Sequence, residues 1–146
     1  MAISRSFLMV EAHIRDVWMP SIYKQAFTKA KASLKRSGSF EFDAVSVDGS
    51  IVACISSNSG RARQGGLAKT KMNKIRSDIL FLLMAEAPRK IMILADKALH
   101  EHAICEQQRG RLPSEVEIVL ATLSEQIQEI LAEAQKTASV EMMANA

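Results

Sequence analysis

The chain has 146 residues, 48% of them hydrophobic and 24% charged, with a formal net charge of +3. This size fits one folded domain, residues 1–146, and the balance of apolar and charged residues excludes a disordered or collagen-like chain. The longest uninterrupted apolar stretch, residues 79–85, is too short to span a bilayer, and Arg5, Glu11, Arg15 and Asp16 interrupt the N-terminal segment, so we expect a cytoplasmic protein with no membrane partner.

Near the N-terminus Val10, Ile14, Val17 and Trp18 recur at helical spacing and predict a helix that Pro20 ends or kinks. The spacing of Ile22, Ala26, Phe27, Ala30 and Leu34 predicts a second helix over residues 21–37, with Gly38 just past its end. The period then changes. Residues 40–47 and 51–57 are β-rich, and Asp48-Gly49 between them is a hairpin signal. A two-residue loop there would set Val45 opposite Val52, Asp43 opposite Cys54 and Glu41 opposite Ser56, all on one face. Phe42, Ala44, Ile51, Ala53 and Ile55 would lie on the other.

Beyond the hairpin, Arg61, Arg63, Lys69, Lys71, Lys74 and Arg76 follow with no acid between Asp48 and Asp78. Cations on a Gly-containing segment that leads into a helix suit contacts to phosphate, so residues 61–76 are the candidate nucleic-acid-binding segment; a solvated basic face is the alternative. Met72, Ile75, Ile79, Leu82 and Leu83 form the apolar stripe of that helix, which stops before Pro88. Residues 90–95 are a continuous apolar run suited to a buried strand, residues 97–108 form a helix, and residues 115–121 alternate as a further strand. The last helix, about 122–136, starts at a capping box of Thr122 and Glu125, and the final residues are expected to fray. The charge is divided along the chain: residues 1–111 hold 18 of the 19 Lys and Arg, whereas residues 112–146 hold six glutamates against Lys136.

Neither Cys54 nor Cys105 is followed at short spacing by a His or a second Cys, and His100 and His102 are two apart on a helix and point in different directions, so no zinc site is expected. The two cysteines are also too few for a disulfide framework.

The hairpin followed by an amphipathic helix and a buried strand resembles the restriction-endonuclease-like fold of the PD-(D/E)XK nuclease superfamily, over roughly residues 10–121. The resemblance implies an α/β fold with an N-terminal helix, a central mixed sheet containing the Asp48-Gly49 hairpin, and flanking helices. It also implies that an aspartate on one hairpin strand and an E-x-K on the next bind Mg²⁺ and position the attacking water, often helped by a glutamate from the N-terminal helix. Asp43 falls at the aspartate position, but Cys54 and Ser56 fall where the glutamate and lysine belong.

A neutral thiol is a poor ligand for Mg²⁺, which prefers hard oxygen donors. Three readings therefore stay open. The first is a nuclease-like fold with a broken motif that serves as a nucleic-acid-binding or interaction module, self-associated as a homo-oligomer, without a cofactor and with absent or weak cleavage. The second is an active Mg²⁺-dependent nuclease using Asp43, Glu41 and Glu11, with Asp43 and Glu41 holding the metal. The third is a protein-interaction adaptor that uses the acidic tail.

Overall fold

The N-terminal apolar residues form a continuous helical rod in the computed structural model, which describes residues 5–59 and 69–144. Helix α1 (Arg5–His13) passes through a π-helical turn (Ile14–Trp18) into α2 (Met19–Tyr23). Pro20 does not end the rod. It falls in the first turn of α2, behind a π turn that has already shifted the hydrogen-bond ladder. The rod stops at Lys24, whose φ of 62° is left-handed.

The helix expected over residues 21–37 is corrected by the structure: the chain turns back and runs as strand β1 (Phe27–Ser33). Alanine and lysine favour helix by only a few tenths of a kcal/mol per residue, and pairing along β2 (Ser39–Ser46) outweighs that preference. The pairs run from Phe27↔Ser46 to Ser33↔Ser39. Lys29 and Lys31 alternate with Ala30 and Ala32, a period that fits a half-buried strand as well as the helical one fitted a helix.

Strand β3 (Ile51–Ser56) pairs antiparallel with β2 through Ala44↔Ala53 and Val45↔Val52, the register that the Asp48-Gly49 turn implied. The loop is longer than two residues, because Gly49 N–H donates to Ser46 O at 2.9 Å and Ile51 N–H donates to Ser46 Oγ. Gly49 has φ +74°, which a side chain would strain. The face assignment needs one correction. Between Thr28↔Val45 and Ala30↔Phe42, two steps along β1 match three along β2, so β2 carries a bulge at Asp43 and Ala44. Phe42 is thereby moved into the core that holds Val52 and Cys54, while Ala44 stays with Ile51, Ala53 and Ile55.

Asp48 closes the turn by accepting from Ser50 N, Ser50 Oγ and Ser46 Oγ. These bonds, led by the one from the Ser50 hydroxyl, pull its carboxyl down to about 2. A depressed carboxyl contributes stability that is present above its unfolded value and is lost as pH falls through its folded one. Asp48→Ala should therefore lower the urea midpoint at pH 6, and the difference from the parent should shrink as pH falls toward 2 and vanish only below it. A gap that does not shrink between pH 6 and pH 2 would show that Asp48 acts by something other than its charge.

Helix α3 (Lys69–Met84) leads to strand β4 (Arg89–Leu94), helix α4 (Lys97–Gln108), strand β5 (Glu117–Leu120) and helix α5 (Glu125–Ala144). The sheet order is β1-β2-β3-β4-β5; β3–β4 and β4–β5 are parallel, which makes the sheet mixed. Met72, Ile75, Ile79 and Leu82 of α3 and Leu99 and Ala103 of α4 cover one sheet face. Val10, Ile14, Trp18 and Met19 of the N-terminal rod and Leu131 of α5 cover the other. The result is an α/β architecture of helix, sheet and helix layers, with β4 buried between them as its unbroken apolar run requires.

At the last helix the cap differs from expectation. Ser124, not Thr122, meets the first turn: its hydroxyl accepts from Ile127 N and its carbonyl from Gln128 N. The helix continues to Ala144, past the predicted end. Among the described residues no helix is long and apolar enough to cross a membrane.

Candidate functional site

The β2–β3 ladder ends at Ala44↔Ala53, next to the bulge. There the Asp43 side chain takes over from the backbone, its Oδ2 accepting the Ile55 N–H at 2.8 Å. A cavity of about 320 Å³ opens at this fork. It is lined by Glu11 of α1, Lys29 of β1, Asp43 of β2, the end of β3 from Ile55 to Asn58, and Lys74 and Asp78 of α3. Bulges are common beside functional sites because they stop strand pairing and re-aim a side chain.

Arg15, in the π-helical turn, ties the rod to this fork, since its Nη1 donates to Glu11 Oε2 at 3.2 Å and to the Asp43 carbonyl at 3.4 Å. Lys29 Nζ is 3.9 Å from Glu11 Oε2. On the other side Lys74 Nζ donates to Asp78 Oδ1 at 3.0 Å. The rim is pinned from α5, where Gln135 Nε2 donates to Ser57 O.

Two of the cavity carboxyls are raised chiefly by burial. Burial pushes the Glu11 carboxyl up, and the Asp43 charge adds to the shift against the opposing pull of Lys29 and Arg15. Asp78 is likewise raised by burial, with Asp43 adding a smaller push against its bond to Lys74. Lys74 is raised above its ordinary value mainly by that bond, so its ammonium is held charged. Carboxyls raised by burial and by like charge in a cleft are a mark of functional sites.

The candidate residues divide as follows. Glu11 and Asp43 meet in the cavity, and Lys74, expected among the phosphate contacts, joins them. Glu41 lies outside it: it is exposed, with Lys31 as its cross-strand neighbour. Cys54 is buried, and burial, then the Asp78 and Asp43 charges, push its thiol far above the ordinary range; it stays neutral. Ser56 lines the cavity. Arg61 and Arg63 lie outside the described residues. Lys69 is exposed on a different flank of α3. Lys71 is half-buried, and burial pulls its ammonium down against the opposing Asp96 charge.

Lys29, Arg15 and Asp78 were not singled out from the sequence. Lys29 was hidden by the mistaken helix. Asp78 did carry a signal: it is an acid beside Ile75, Ile79 and Leu82 on an apolar stripe, four residues after a lysine.

Magnesium is the ion that the resemblance implies. Among the described residues no three His, Cys, Asp or Glu side chains come together as a metal cage. Mg²⁺ does not need one, because it keeps several waters and is commonly bound through one or two carboxylates plus substrate phosphate. Asp43 with one of Glu11 or Asp78, all on the walls of one cavity, would meet that requirement. Comparison of the chain with protein-family models, curated proteins and solved structures returns no match.

Proposed function

We propose that this protein is a metal-dependent nuclease of the restriction-endonuclease-like kind, with its cleft completed from α3 instead of β3. The observation that carries the reading is the joint presence of Asp43, Glu11, Asp78 and Lys74 around one cavity. The motif is broken at Cys54 and Ser56, and the expectation of weak cleavage rested on that strand alone. Asp78 offers the carboxylate and Lys74 the ammonium that β3 lacks. Hairpin, helix and buried strand follow one another as β2, β3, α3 and β4, which supports the fold part of the proposal.

Each side chain has a task in this reading. The Ile55 N–H fixes the direction of the Asp43 carboxylate, and Arg15 holds Glu11 toward it. Lys74 offers positive charge to a phosphoryl oxygen, where such charge matters most as the transition state forms. A bound Mg²⁺ would polarise the phosphoryl group and lower the pKa of a bound water. A non-catalytic nucleic-acid-binding module is the second reading, favoured by the neutral Cys54 thiol and by the engagement of each cavity carboxylate with a donor of the protein itself.

Incubation with plasmid, single-stranded DNA and RNA in Mg²⁺ or Mn²⁺ separates the two. The proposal expects cleavage that stops with chelator and falls by about 10²–10³-fold in Asp43→Asn, the scale for losing one group that stabilises the transition state. Salt-sensitive binding with no cleavage of any of these substrates would favour the second reading.

A further inference from the structure

We infer that the cleft between α3 and α4 is a phosphate-binding subsite for the nucleic-acid backbone, an inference that rests on reading the first cleft as a phosphodiester site. The α3–α4 cleft has a volume of about 320 Å³ and is lined by Lys69, Asn73 and Arg76 of α3, His102 and Glu106 of α4, and Arg111 beyond it. Glu106 is 3% exposed. Its carboxylate accepts from Arg76 Nη2 at 3.4 Å and from Arg111 Nη1 at 3.5 Å. Both arginines remain open to solvent, with side chains 45% and 66% exposed.

One buried acid thus holds two guanidinium forks side by side at the mouth of a cavity. Each guanidinium carries five N–H donors, of which Glu106 engages one; Arg76 gives another to Asn73 Oδ1. With Lys69 on the same cavity, positive charge exceeds the single carboxylate that lines it. Paired guanidiniums with spare in-plane donors match the geometry of a phosphate, which lysines alone do not.

The placement on α3 ties this cleft to the first. Lys69, Asn73 and Arg76 are spaced along one flank of the helix, while Lys74 and Asp78 face the other cavity. The ridge between them carries exposed Thr70 and Ser77 and no acid. A helix is about 10–12 Å across, or roughly three base-pair rises of 3.4 Å along a duplex axis, so a duplex lying across α3 would reach both clefts. The charge also divides in the expected sense: the carboxylate-rich cavity takes the reaction and the arginine-rich one takes the backbone.

Binding of a labelled short DNA duplex, followed without metal over a range of salt, tests this. In the double variant Arg76→Gln/Arg111→Gln, affinity at low salt should fall by at least about tenfold, and the slope of log K against log salt should become shallower by about 1.8, the value for two phosphate contacts. Lys69→Gln, at an exposed position that carries no burden of folding, should flatten it by about 0.9. Unchanged slopes in both variants would overturn the subsite whether or not the protein cuts DNA. Failure of the parent protein to cleave with metal counts against the first cleft instead. If inorganic phosphate binds but duplex affinity does not depend on Arg76 and Arg111, the cleft is a site for a free anion and the inference fails.

Discussion

Replacing Lys74 with methionine should lower metal-dependent cleavage by about 10²–10³-fold while leaving the fold in place. Its side chain is 64% exposed, but that of Asp78 is only 9% exposed, so losing the ion pair leaves a buried carboxylate without its partner; denaturant unfolding run alongside separates that cost from the loss of cleavage. The loss should appear in kcat, because charge offered to the phosphoryl group counts mainly as the transition state forms. Asp78→Asn should have an effect of similar size. If the two side chains act as a unit, the double variant should be little worse than either single one. Unchanged cleavage in Lys74→Met would show that α3 does not complete the site.

Phe42→Ala should destabilise the protein by about 3–5 kcal/mol, enough to lower Tm by about 10–15 °C. The bulge in β2 delivers this side chain into the core beneath α3, where it is fully buried. Phe40 meets it edge-on at 4.9 Å and itself stacks on Phe81 of α3 at 4.0 Å. Truncation would leave a void under the helix that carries Lys74 and Asp78, so activity should fall along with stability. A loss below about 1 kcal/mol, measured by denaturant unfolding, would mean that the phenylalanine is not enclosed as described.

The parts of the fold legible in the sequence were those in which one local rule acted alone. The Asp48-Gly49 turn set the hairpin register, and the apolar run at 90–95 marked a strand buried on both faces. Helix α4 spans Lys97–Gln108, the range expected of it. Residues 27–33 were misread because Lys-Ala-Lys-Ala suits a helix locally; only the long pairing with β2 makes it a strand. The bulge could not be foreseen either, since no residue type at Asp43-Ala44 demands one. That one extra residue explains both the change of face at Phe42 and the fork in which the cavity lies.

The site was legible in proportion. Asp43 and Glu11, chosen through the resemblance, line the cavity, whereas Glu41 was chosen on an alternation that the bulge interrupts. Lys74 was seen as one cation of a basic run, and its distinction from Lys69 depends on which flank of α3 each occupies. Asp78 required knowing that the apolar stripe of α3 passes the open end of β2 and β3. These are tertiary facts, and no spacing along the chain encodes them.

We expect Asp43, with Glu11 or Asp78, to hold a metal-dependent centre at the β2–β3 fork. Crystals soaked in Mn²⁺ and measured for anomalous scattering address it most directly. The expected result is a manganese peak in the cavity, coordinated by Asp43 and by at least one of Glu11 and Asp78. A cavity without manganese, or manganese held only at the exposed Glu41, would contradict it.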